Sequence, residues 1–137
     1  MKNLIWKFIF PMTMFTFILC TKVWFVRVEG DFDEKLTGFP LPYVGRGWHT
    51  SLSLQLFIFE LLIDFLTYVL FWTCVALLIK RVWKNFKMPK FASILFVTFT
   101  ILWSIALLII LANPNNLFKL HRDFEIEIIH THFQFLL

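Results

Sequence analysis

The feature that most constrains this chain is a long hydrophobic run, residues 52–79, that carries the carboxylates of Glu60 and Asp64 one helical turn apart. About 20 apolar residues in a helix are enough to cross the hydrocarbon core of a bilayer. An ionised residue at the centre of such a helix costs roughly 2.5–3.5 kcal/mol, so the pair needs a partner, a proton or a water-filled cavity. Glu60 and Asp64 are therefore the leading functional candidates.

The composition indicates that much of this chain lies in a lipid bilayer. Hydrophobic residues make up 59% of the 137 residues, against roughly 45–50% in soluble domains. The net charge of +4 lies beside hydrophobic runs and forms no clustered basic face, which argues against nucleic acid as a partner. We predict a single-domain, all-α, multi-pass membrane protein, and the Phe-, Ile- and Lys-rich composition favours a bacterial inner membrane.

Three transmembrane helices are predicted, over residues 8–26, 52–79 and 91–112. They would be joined by an outer loop at 27–50 and a cytoplasmic link at 80–90, and followed by a tail at 113–137. The link carries five Lys and Arg residues, and cytoplasmic loops carry an excess of these residues. The N-terminus is therefore expected in the cytoplasm and the tail outside.

The second predicted helix carries a polar stripe. Spacings of three and four place Glu60, Asp64, Thr67 and Tyr68 on one face. Lys22, at the outer end of the first predicted span, is the nearest candidate cation for Glu60. The expected role of this stripe is a packing or assembly contact, while ion or proton handling and acid/base catalysis are alternatives.

The outer loop contains all four glycines and two closely spaced prolines. Its candidate residues are Gly38, Pro40, Pro42, Tyr43, Arg46, Trp48 and His49. Proline restricts the backbone φ angle, whereas glycine permits conformations that other residues rarely adopt. Together with the aromatic rings of Tyr43 and Trp48, this mixture favours an ordered loop. We expect a cap over the helix ends, and the alternative is a lid that binds a lipid headgroup or a partner peptide.

The run Gly-Phe-Pro-Leu-Pro-Tyr at 38–43, followed by Trp-His-Thr-Ser-Leu-Ser at 48–53 and the acidic helix, resembles a group of small bacterial integral membrane proteins. These proteins share a glycine-proline-proline loop before an acidic transmembrane span. The resemblance covers residues 38–72. It implies that the loop and the acidic helix work together, and it implies no particular activity.

The tail changes its periodicity. Apolar and charged residues alternate strictly over 124–128, and the alternation resumes over 130–135 after a phase slip at Ile129. This pattern predicts a strand that pairs with the outer loop, a second copy or a partner sheet, and an interfacial helix is the alternative. His130 and His132 would share one face of the strand as weak candidate metal ligands, but no metal or other cofactor is predicted.

No Ser/His/Asp set, HExxH motif or phosphate-binding loop occurs, so no enzyme is predicted and no catalytic residue is assigned. The expected function is that of an accessory or assembly subunit, whose stripe contacts a protein partner or another copy within the membrane. The alternative is an oligomeric ion- or proton-conducting component in which Glu60 and Asp64 line the path.

Overall fold

The computed structural model describes residues 5–28, 32–47, 53–82 and 89–135. A π-helical turn, Ile5–Ile9, leads directly into α1, Phe10–Leu19. The remaining elements are, in chain order, β1 (Cys20–Val28), β2 (Phe32–Thr37), β3 (Val44–Arg46), β4 (Leu54–Phe57), α2 (Ile58–Val82), α3 (Lys90–Leu111), β5 (Leu117–Lys119) and β6 (Ile126–Phe135). Two long helices and one short one thus accompany a six-stranded sheet.

The prediction of an all-α protein with three transmembrane helices is wrong. The first predicted span, 8–26, divides at Leu19, where α1 ends and the next residue begins β1. The π-helical turn and α1 together rise about 22 Å, less than the roughly 30 Å of a hydrocarbon core. β1 lies between β2 and β6, and its buried residues, Val23, Val26 and Val28 among them, extend the apolar run of α1 in the sequence.

Two helices of the described chain are long and apolar enough to cross a membrane. They are α2, with a mean hydropathy of 2.2, and α3, with 2.8. Their bounds lie close to the predicted spans 52–79 and 91–112, except that residues 54–57 form β4 ahead of α2. The link between them, predicted at 80–90, lies mostly outside the described residues.

The sheet has the strand order β5-β4-β3-β2-β1-β6. Neighbouring strands are antiparallel, except β4 and β5, which are parallel. The segment predicted as an outer loop, 27–50, supplies the end of β1 and all of β2 and β3. It reads as a loop because β2 carries three charged residues and β3 is only three residues long.

The tail forms β6, which confirms the strand predicted there in place of an interfacial helix. The partner of β6 is β1, most of which was assigned to the first transmembrane helix. Phe25 pairs with His130 and Val26 pairs with Ile128, so Ile129 is the extra residue of a β-bulge. The phase slip in the sequence therefore corresponds to this bulge.

The described residues form two separate buried apolar clusters. One joins the N-terminal helical segment to α2 through Phe8, Ile9 and Ala76. The other lies in the sheet, where Val26 and Leu36 are almost fully buried and Phe124 packs against them. The sheet therefore has a core of its own beside the helices, and the polar stripe of α2 is where helix and sheet meet.

Candidate functional site

Asp64 is completely buried on the face of α2 that meets the sheet. Its carboxylate accepts two backbone hydrogen bonds, from the amide of Phe39 at 2.6 Å and from the amide of Leu41 at 2.9 Å. Both oxygens therefore bind the turn between β2 and β3. Hydrogen bonds to ionised groups are stronger than neutral ones, so this contact fixes the turn on the helix.

The turn that Asp64 holds has a geometry that only glycine fits at its first position. Gly38 has φ of 155°, and a Cβ atom there would lie 2.0 Å from the carbonyl oxygen of Leu41. Its carbonyl accepts a 2.8 Å hydrogen bond from the indole of Trp24. The Phe39–Pro40 peptide bond is cis, and Pro42 is buried.

Glu60 is buried one turn before Asp64 and binds a different segment. Its Oε1 atom accepts hydrogen bonds from Nδ1 of His121 at 2.7 Å and from the backbone amide of Arg122 at 3.3 Å. Its Oε2 atom is buried and has no hydrogen-bond partner in the described part of the chain. The carboxylate thus anchors the segment between β5 and β6 and keeps one oxygen unpaired.

The remaining predicted members of the stripe behave differently from one another. Tyr68 donates its hydroxyl to the carbonyl oxygen of Cys20, where β1 begins. Thr67 donates its hydroxyl to the carbonyl of Ile63 in its own helix. Lys22 lies over the ring of Trp24, with Nζ 4.0 Å from the ring centroid, and the cation beside Glu60 is that of His121 when protonated.

The stripe therefore contacts three non-helical segments of the same chain. Glu60, Asp64 and Tyr68 bind the segment before β6, the β2–β3 turn and the start of β1, respectively. Sequence spacing predicted that these side chains share a face. It did not indicate that their partners are mainly backbone groups far along the chain.

The other predicted loop residues are divided between the described and undescribed parts of the chain. The amide of Tyr43 donates to the carbonyl of Thr37, and its ring stacks on Phe17 with centroids 5.3 Å apart. Burial, and then the charge of Asp64, raises the pKa of Tyr43 above its ordinary value. Arg46 is exposed at the end of β3, whereas Trp48 and His49 lie outside the described residues.

His130 and His132 lie together on one face of β6. Both rings stack on Phe25 of β1, with centroid distances of 4.3 Å and 5.5 Å. Among the described residues, no group of three or more His, Cys, Asp or Glu side chains is placed to hold a metal ion. The two histidines are exposed side chains packed on an aromatic ring.

A cavity of about 400 Å³ between α1, the sheet and α3 was not predicted from the sequence. Its apolar walls include Phe17, Leu56 and Leu107. Two buried polar atoms of its lining, Oγ1 of Thr21 and Nε1 of Trp103, have no hydrogen-bond partner in the described chain. Trp103, a tryptophan deep within the hydrophobic run 91–112, is the sequence signal that could have indicated this cavity.

No protein-family model matches this sequence, and searches of curated proteins and of solved structures gave no match. The resemblance to small bacterial membrane proteins therefore remains a prediction.

Proposed function

We propose that the chain is an integral membrane protein anchored by α2 and α3, two consecutive helices that form a hairpin in which the N-terminal helical segment packs against both. The most apolar window of each helix is mostly uncovered by the rest of the protein, with 11% of it buried in α2 and 6% in α3. Leu70 on α2 and Ile109 on α3 are 64% and 69% exposed. The core helices of a soluble protein bury such side chains, whereas lipid solvates them at no cost.

The proposed orientation follows the basic residues at one end of the hairpin. Lys80 and Arg81 end α2 and Lys90 begins α3, so these cations lie at the end opposite the sheet. Cytoplasmic ends of membrane helices carry such an excess, which places the sheet on the outer face. A helical hairpin with this charge pattern fits a bacterial inner membrane.

The proposed function is that of a non-enzymatic accessory or assembly subunit, with β6 as its contact with a neighbour. β6 lies at the end of the strand order, so among the described residues β1 is the strand that pairs with it and no strand lies along its other edge. Such an edge offers a row of backbone donors and acceptors to another strand. This open, ten-residue edge is the observation that carries the proposal.

The charges of β6 favour a second copy of the chain as the neighbour. Glu127 lies in its first half, and His130 and His132 lie in its second half. Antiparallel pairing of two β6 strands places the acidic half of one beside the histidine half of the other. Such a contact is self-complementary, as a two-fold dimer requires.

The test is the oligomeric state of the full chain in dilute vesicles, counted by single-molecule photobleaching. We expect wild-type dimers, and we expect His132→Glu alone to weaken dimerisation roughly tenfold, since it sets a second carboxylate against Glu127 twice in the dimer. The combined exchange Glu127→Lys/His132→Glu supplies opposite charges and should restore the dimer. Asp33→Asn, on β2, is the control. A monomeric wild type, or a His132→Glu variant that dimerises normally, would contradict self-pairing.

A second candidate, proton transfer within an oligomer, is favoured by the buried and unpaired Oε2 atom of Glu60 beside the exposed His121. It predicts proton flux in liposomes that Glu60→Gln abolishes while the dimer persists. Flux that is absent, or unchanged by Glu60→Gln, would eliminate this candidate. Asp64 is a poorer candidate because its oxygens already accept two amides.

A further inference from the structure

The cavity combines an apolar interior with a cationic opening. Its walls are formed by α1, the sheet and the last turns of α3, from Trp103 to Leu111. Lys35 and Arg46, on neighbouring strands, also line it and are exposed, so the cavity reaches the protein surface at these two cations. No ion pair neutralises either of them within the described residues.

Two residues that line the cavity carry buried polar atoms without the partners that such groups normally have. The hydroxyl of Thr21 and the indole nitrogen of Trp103 are both hydrogen-bond donors, and both are buried without an acceptor in the described chain. Thr21 is only 5% exposed. A buried unpaired donor costs about 1–3 kcal/mol, so each side chain would gain by rotating toward an acceptor oxygen that a ligand brings into the cavity.

We infer that the cavity binds one acyl chain of an anionic phospholipid from the outer leaflet. The apolar walls would hold the chain, Thr21 and Trp103 would donate to ester oxygens, and Lys35 and Arg46 would bind the phosphate. The volume lies within the roughly 300–1,000 Å³ of small-molecule sites. This inference rests on the proposed membrane location and is independent of the β6 contact.

The position of the cavity on α3 is the reason for choosing a membrane lipid over a soluble ligand. Leu107 lines the cavity, while the next residue, Leu108, is 65% exposed on the part of the helix that faces away from the protein. Lipid that solvates α3 is therefore adjacent to the cavity wall. Any soluble ligand would have to compete with that lipid.

The test compares lipid binding to the full chain by native mass spectrometry in mild detergent. Phosphatidylglycerol and phosphatidylcholine with identical acyl chains are titrated separately. We expect wild-type protein to bind one phosphatidylglycerol roughly tenfold more tightly than phosphatidylcholine, because two cations each favour the anionic headgroup. Lys35→Gln/Arg46→Gln should remove this preference, whereas Lys80→Gln/Lys90→Gln, which loses the same charge at the other end of the hairpin, should retain it.

A second pair of variants tests the cavity itself. Leu107→Trp fills the cavity and should abolish binding of either lipid, while Leu108→Trp adds the same volume on the exposed side of α3 and should leave binding unchanged. Equal affinity for the two lipids in wild-type protein, or lipid binding that persists in Leu107→Trp, would overturn the inference. Extraction of membranes with alkaline carbonate tests the membrane location separately for each variant. A peripheral protein would be released, whereas an integral protein that fails to bind lipid in the cavity would stay in the membrane.

Discussion

At the scale of the residue, this protein uses one buried carboxylate to connect a membrane-type helix to a loop. Asp64 lies in a largely apolar helix, and its carboxylate is bound by two backbone amides rather than by a cation. Sequence spacing identified Asp64 as a residue that needs partners. It could not identify Phe39 and Leu41, because the unpaired amides arise from the path of the turn and not from their side chains.

Replacement of Asp64 tests this contact. Asp64→Ala leaves two amides without an acceptor, so we expect the free energy of unfolding to fall by at least about 3 kcal/mol. Asp64→Asn keeps one acceptor oxygen and should lose less. Thermal unfolding in detergent measures both, and Asp33→Ala, which removes an exposed carboxylate, is the matched control. A loss in Asp64→Ala no larger than in Asp33→Ala would show that the contact contributes little.

Gly38 supports the same turn through its backbone. Gly38→Ala would place Cβ 2.0 Å from a carbonyl oxygen at a φ that other residues rarely adopt, so we expect a loss of about 3 kcal/mol or more. Gly45→Ala is the comparison, because its Cβ would meet the movable end of the Leu36 side chain at 2.5 Å. Unfolding curves should therefore show the smaller loss for Gly45→Ala. Equal losses would argue against the turn geometry.

At the scale of the element, β1 and β6 show what hydrophobic pattern reveals and what it conceals. The strand β6 was predicted from the alternation of polar and apolar residues along it, whereas β1 was predicted as part of a helix. β1 follows directly on the apolar helix α1, and its apolar residues continue the hydrophobic run of that helix, so the sequence does not show where the helix ends and the strand begins. The glycine and prolines of the β2–β3 turn favoured an ordered loop, but the strands on either side of that turn and the pairing of β2 with β1 were not predicted.

Ile129 provides a test of the β1–β6 register. Deleting Ile129 leaves Ile128 opposite Val26 and His130 opposite Phe25, so it removes the bulge while the other side chains keep their faces. We therefore expect the deletion to retain the cooperative unfolding transition in circular dichroism. Deleting Thr131, which is paired with Trp24, shifts the residues beyond it by one position and turns them to the opposite face, so it should weaken that transition strongly. A deletion of Ile129 as damaging as the deletion of Thr131 would contradict the bulge.

At the scale of the whole molecule, a helical hairpin carries a sheet at one end and cations at the other. This arrangement predicts opposite chemical accessibility for the two ends. In a Cys20→Ser/Cys74→Ser background, Arg27→Cys on β1 should react with a membrane-impermeant maleimide in intact cells, and Lys90→Cys should react only after permeabilisation. Reaction of both thiols in intact cells would contradict the hairpin, and the reverse pattern would invert the proposed orientation.

The central claim is that the polar stripe of α2 holds the sheet of its own chain. Amide hydrogen exchange of the full chain in lipid nanodiscs tests it most directly, because the Phe39 and Leu41 amides are the two donors to Asp64. We expect both amides to be protected in wild-type protein and to exchange at least tenfold faster in Asp64→Ala, while the amide of Gly38, which donates to Lys22, changes less. Fast exchange of Phe39 and Leu41 in wild-type protein, or protection that survives in Asp64→Ala, would contradict the claim.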